Sequence, residues 1–79
     1  METIAVKTCL FQHPLSRKYK WLSLETEKGG NNQYLFDSAE TIDEPTKKPD
    51  VEGKRGTLVD YEHEKQRIED KGYLVRWEV

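Results

Sequence analysis

The chain has 79 residues, enough for one domain built around one core. Only 34% of the residues are apolar while 35% are charged, so the core is small and a deep, enclosed active site is not expected. The net charge of −2 provides no overall attraction to nucleic acid or to an anionic membrane, so any such binding must be local.

The cysteine content indicates a reducing compartment. The single cysteine, Cys9, cannot form an intramolecular disulfide, whereas small secreted domains usually depend on several. Residues 1–4 lack the basic segment and apolar run of a signal peptide, and no stretch approaches the roughly 18 apolar residues of a membrane span. We therefore expect a cytoplasmic protein without a membrane partner.

Residues 3–11 form the first predicted strand, because apolar and more polar side chains alternate with the two-residue period of a half-buried strand. Pro14 interrupts this pattern and predicts a turn. The alternation resumes over residues 17–25, so the two segments are predicted to pair as an antiparallel hairpin. The side chains predicted to meet in the core are Ile4, Val6, Leu10, Leu22 and Leu24.

The middle of the chain predicts a short strand followed by a long loop. Residues 28–32 are rich in glycine and asparagine, which favour turns, and a third strand is predicted over residues 33–36. Residues 43–56 contain two prolines, two glycines and many charges, with Val51 as their only large apolar side chain. A mobile loop is predicted there.

Residues 57–71 favour a helix. Leu58, Tyr61 and Ile68 share one helical stripe, and Gly72 is suited to the left-handed position that ends many helices. The alternative makes residues 57–61 a strand in an all-β barrel. On either interpretation, residues 73–79 are a strand.

Residues 56–59 and 73–77 resemble the hairpins of SH3-like barrels such as chromo and Tudor domains, although those modules continue past the equivalent tryptophan into a further strand or helix. The resemblance implies the barrel alternative. The residues themselves favour an α+β domain, with an antiparallel sheet of three to four strands packed on one helix.

The residues that could carry chemistry do not form a convincing catalytic or metal-binding pattern. Cys9, His13 and His63 are too few for a structural zinc site, and Cys9 lies within a strand, where cysteine usually behaves as a small apolar residue. No glycine-rich phosphate loop is present. The sequence therefore predicts no enzyme, no metal and no cofactor.

Charge is segregated along the chain, which predicts two binding surfaces. No acidic residue lies between Glu2 and Glu25, where the basic residues interleave with aromatic ones. The first predicted surface, the basic aromatic hairpin, consists of Lys7, Arg17, Lys18, Tyr19, Lys20 and Trp21. The second, the acidic helix, carries Glu62, Glu64, Glu69 and Asp70.

These surfaces favour a non-enzymatic protein-binding module or inhibitor. A phage or mobile-element regulator of a host complex is one kind of protein that would have these features. The alternative function is binding of single-stranded nucleic acid through residues 7–21. In another interpretation, Tyr19 and Trp21 are not exposed but buried in a second core layer. An exposed edge formed by the first or last strand would also permit a homodimer.

Overall fold

The computed structural model describes residues 2–43 and 53–79, which form one antiparallel sheet and one helix. In chain order the elements are β1 (Thr3–Gln12), β2 (Tyr19–Glu27), β3 (Gln33–Asp37), β4 (Gly53–Arg55), α1 (Leu58–Asp70) and β5 (Leu74–Glu78). The five strands lie in the order β4-β3-β2-β1-β5, and the sheet does not close on itself. The predicted α+β class is confirmed, and the all-β barrel is wrong.

The predicted hairpin is confirmed as β1 and β2, but the face that β1 turns toward the core is not the predicted one. A bulge between Ala5 and Lys7 adds a residue to β1 and reverses the alternation on either side of it. Cys9 therefore lies opposite Leu22 on the helix side of the sheet. Leu10 lies opposite Trp21 on the other side.

The expectation that Ile4, Val6 and Leu10 share the core with Leu22 and Leu24 is therefore wrong. Ile4 and Val6 are 54% and 43% exposed. The main core between the sheet and α1 contains Cys9, Phe11, Leu22, Leu24, Leu35, Tyr61, Ile68 and Tyr73. A second, smaller cluster on the opposite face consists of Leu10, Tyr19 and Trp21.

The ends of α1 are set by local sequence. At the start, the backbone N–H and the hydroxyl of Thr57 both donate to Asp60 Oδ2, at 2.9 and 3.3 Å. At the other end Gly72 has a φ of 100°, and its N–H donates to the Glu69 carbonyl at 2.9 Å. The predicted helix and its closing glycine are confirmed. Both ends could be predicted because the residues that form them are adjacent in the sequence.

The predicted mobile loop over residues 43–56 lies largely outside the described residues, which omit 44–52. Its last part is not a loop, since Gly53–Arg55 form β4 and pair with β3. Glycine suits this strand because Gly53 lies so close to the Phe36 ring that an added Cβ would be 2.5 Å from a ring carbon. Within the described ranges, no helix has the length and apolar character needed to cross a bilayer.

Candidate functional site

The aromatic rings of the basic aromatic hairpin are buried. Tyr19 is 9% exposed and Trp21 is 4% exposed. The Trp21 ring packs edge-on against Trp77 of β5, with ring centroids 4.8 Å apart and planes at 75°. These rings therefore belong to the second core cluster and do not offer a face on which nucleic-acid bases could stack.

The cations of the same hairpin are mostly paired with carboxylates. The pairs are Lys7–Glu62 at 3.1 Å, Lys18–Glu40 at 3.6 Å and Lys20–Asp37 at 2.8 Å. Among residues 2–43 and 53–79, Arg17 is the one predicted cation of the hairpin without a carboxylate partner. The local positive charge is thus largely neutralised, which removes most of the attraction that phosphates would need.

The acidic helix does not form a surface opposed to the hairpin, because the Lys7–Glu62 ion pair joins the two. Glu64 pairs with Arg67 at 2.9 Å, and Asp70 accepts a hydrogen bond from Gln66 at 2.9 Å. Glu69 is partly exposed at the same end of α1. Glu62, Glu64 and Asp70 are therefore ordinary helix-surface groups, each close to a neighbour of complementary charge or polarity.

The candidate nucleophile and bases lie apart. Cys9 is fully buried beneath α1, and burial, followed by the negative charge of Glu78, raises the pKa of its thiol to about 12. His13 Nδ1 accepts hydrogen bonds from the backbone N–H groups of the turn that follows it, and His63 lies on the exposed side of α1. In the part of the chain that is described, no three His, Cys, Asp or Glu side chains are placed to hold a metal ion.

A polar cluster attaches β5 to α1. The Tyr61 hydroxyl donates to Glu78 Oε2 at 2.6 Å, and Lys65 Nζ lies 3.1 Å from Glu78 Oε1. The Tyr61 hydrogen bond is the main cause of the lowered pKa of Glu78. Burial, reinforced by the same hydrogen bond, raises the pKa of Tyr61. The protonated phenol is therefore part of the folded state.

The tyrosine environments predict a loss of stability at alkaline pH. A tyrosine has a pKa of 10.0 when unperturbed, and burial together with the hydrogen bond to Glu40 raises the pKa of Tyr73 to about 12. The folded-state pKa values of Tyr61 and Tyr73 lie above the unfolded value. The contribution of these two tyrosines to the free energy of unfolding is therefore complete below about pH 10 and declines as the pH rises further. Tyrosinate absorbance and circular dichroism, recorded together, should show Tyr61 and Tyr73 ionising as the chain unfolds.

The control for this titration is the Tyr61→Phe/Tyr73→Phe variant, which should lack the late tyrosinate phase. Ionisation of all four tyrosines near pH 10 with an unchanged circular dichroism spectrum would contradict the expectation.

The exposed apolar side chains concentrate at one edge of the sheet. On one side β5 pairs with β1, and on its other side no strand lies beside it in the described ranges. We call this side of β5, with the part of β1 that extends past it over residues 3–7, the open edge. Of the ten large apolar side chains exposed in the described residues, six lie there: Ile4, Val6, Leu74, Val75, Trp77 and Val79.

Sequence reasoning did not assign these six residues to a binding site. The alternation over residues 73–79 indicated a strand but not its neighbours. Which strand becomes an edge depends on the sheet order, and which β1 residues are exposed depends on the bulge at Val6. The available signal was the row of large apolar residues at Val75, Trp77 and Val79.

A surface cleft of about 310 Å³ lies between the β2–β3 turn and the start of α1. Its principal polar groups already bond within the protein: Arg55 Nη2 donates to Asn32 Oδ1 at 2.7 Å, and Asp60 accepts from Thr57. The cleft is therefore a weaker candidate than the open edge.

Fold and site together define a small α+β domain with a helix on one sheet face and an apolar open edge. Comparisons of the chain with models of known protein families, with characterised proteins and with solved structures find no match.

Proposed function

We propose that this chain is a non-enzymatic protein-binding module that accepts an extended segment of a partner polypeptide as an additional strand beside β5. The observation that carries the proposal is the concentration of exposed apolar side chains on the open edge. Edge strands offer unpaired backbone groups, and natural domains usually protect them with charge or a covering element. An edge strand with exposed apolar side chains is suited to strand addition, in which backbone hydrogen bonds give affinity and side chains give specificity.

The backbone of β5 is oriented for such an addition. Val79 and Thr8 exchange two backbone hydrogen bonds, at 2.8 and 3.1 Å, so the N–H and C=O of Val79 point toward β1. In an antiparallel strand the backbone N–H and C=O groups of adjacent residues point in opposite directions. The N–H and C=O of Glu78 therefore point outward, toward an incoming strand.

Side-chain contacts hold β5 in place before any partner arrives. Trp77 packs on the buried Trp21, and Glu78 bonds to Tyr61 and Lys65 of α1. A strand already held in its binding conformation loses little conformational entropy when a partner pairs with it.

The chemistry of the described residues supports binding rather than catalysis. The thiol of Cys9 is buried with a raised pKa, so it is a poor nucleophile, and neither histidine is positioned to activate it. A cytoplasmic location is part of this proposal, because the single cysteine is a free thiol packed as an apolar residue.

The test is affinity capture from cell lysate with two matched variants. Val75→Lys/Val79→Lys places two positive charges on the open edge, whereas Leu15→Lys/Val59→Lys places two at exposed positions away from it. We expect the wild type and the control variant to retain the same protein partner, and the edge variant to lose it. Equal capture by the edge variant, with all three proteins folded, would refute the proposal.

A further inference from the structure

Trp77 and Val79 place two exposed apolar side chains on one face of the sheet at the open edge. Trp77 lies opposite Leu10 of the second core cluster, so its side chain is on the sheet face away from α1. Val79 follows two residues later on the same face, and the two side chains are 41% and 81% exposed. Glu78, between them, lies on the helix face and accepts a hydrogen bond from Tyr61.

The helix face of the open edge is polar and electrically balanced. Glu78 Oε1 lies 3.1 Å from Lys65 Nζ, and Lys7 pairs with Glu62 at the same distance. Since each of these cations is matched by a carboxylate, this side of the edge favours neither an acidic nor a basic segment. An apolar side chain placed over the ion pairs would remove them from water at a cost, which an uncharged polar side chain largely avoids.

We propose that the segment accepted beside β5 carries two large apolar residues separated by one uncharged polar residue. The inference rests on the proposed function, because it names the chemistry of the partner that the open edge binds. In an antiparallel pairing the polar residue lies opposite Glu78 and exchanges backbone hydrogen bonds with it, since the N–H and C=O of Glu78 point outward. The two apolar residues then lie opposite Trp77 and Val79.

This register puts the apolar pairs at the closer positions of the ladder. Residues opposed at non-hydrogen-bonded positions have Cα atoms about 4.5 Å apart, closer than at hydrogen-bonded ones, so their side chains pack directly. Trp77 is already held against the Trp21 ring, with ring centroids 4.8 Å apart. It therefore offers a fixed apolar surface, and each apolar residue of the segment covers one exposed side chain of this protein.

The test is titration of the full chain with synthetic peptides while tryptophan fluorescence is recorded. The first peptide is Lys-Thr-Ile-Thr-Ile-Thr-Lys, and the control, Lys-Thr-Ile-Ile-Thr-Thr-Lys, has the same composition with its isoleucines adjacent. Neither contains tryptophan, so a shift of emission to shorter wavelength reports that Trp77 has been covered. We expect the first peptide to bind below about 1 mM and at least about tenfold more tightly than the control, which can place only one isoleucine on the face of Trp77.

Two further comparisons locate the site and test the polar position. Val79→Lys should weaken binding of the first peptide at least about tenfold, whereas Val59→Lys, at an exposed position on α1, should leave it unchanged. Lysine or glutamate in place of the central threonine should each weaken binding at least about threefold, because either charge loses water beside the balanced Lys65–Glu78 pair. Equal affinity for the two isomeric peptides, or unchanged emission with both at about 1 mM, would overturn the inference.

The two proposals fail separately. If affinity capture depends on the open edge but the isomeric peptides bind equally or not at all, the proposed function stands and the apolar–polar–apolar pattern is wrong. If the peptides bind as predicted but capture is independent of the open edge, the pattern stands and the captured partner uses a different surface, so the proposed function is wrong.

Discussion

Replacing Tyr61 by alanine is expected to unfold the domain or leave it barely stable. Tyr61 is the largest fully buried side chain among the described residues and lies where α1 packs on the sheet. Removal of a buried aromatic ring typically costs about 3–5 kcal/mol. A chain of this length has a free energy of unfolding of roughly 4–12 kcal/mol on the usual per-residue scale. Urea denaturation followed by circular dichroism measures the loss.

Tyr61→Phe is the matched control, because it keeps the ring and removes only the hydroxyl that donates to Glu78. We expect it to cost about 1 kcal/mol, since Glu78 is partly exposed and keeps its contact with Lys65. A cost below about 1 kcal/mol for Tyr61→Ala would contradict the packing of α1 against the sheet.

Replacing Trp21 by alanine is expected to be nearly as damaging, with a loss of about 3–5 kcal/mol. Trp21 is 4% exposed and packs with Leu10 and Tyr19 on the sheet face away from α1. The substitution also removes the support of Trp77 on the open edge, so edge-dependent binding should weaken together with stability. Chemical denaturation measures the first effect, and affinity capture at a temperature where the variant is folded measures the second.

Trp21→Phe provides the comparison, because it retains most of the buried apolar surface and should lose less than half as much stability. The measurement also separates two interpretations of the basic aromatic hairpin. If Trp21 served as an exposed platform for nucleic-acid bases, its removal would hardly change the free energy of unfolding. A change within about 0.5 kcal/mol for Trp21→Ala would therefore refute its placement in the second core cluster.

The surface of this domain explains how a chain so rich in charge can still present an apolar edge. Most of the described cations lie near carboxylates, as at Lys7–Glu62 and Lys65–Glu78, and exposed pairs of this kind add little to stability. Their main effect is to keep the rest of the surface polar. Exposed apolar area is then concentrated where β5 has no neighbour among the described strands, which favours recognition at that edge.

The sequence by itself determined the elements whose causes are local. The β1–β2 hairpin follows from alternation around a proline-containing turn, and α1 follows from its apolar stripe. The helix ends where Gly72 can adopt a positive φ, a property of the residue and not of its surroundings. That the chain is not an enzyme remains a prediction made from its residue types.

Tertiary structure alone decided which faces and edges these elements present. One extra residue in β1 reverses its alternation, so Ile4 and Val6 became exposed while Cys9 entered the core. The sheet order left β5 with a single neighbouring strand among the described residues, and the contact with Trp77 helped bury Trp21. A strand pattern specifies that side chains alternate, but strand neighbours and bulges specify what each face meets, and these depend on residues far apart in the chain. For that reason the basic aromatic hairpin, which was apparent from charge alone, proved to be partly core, and the open edge emerged only from the fold.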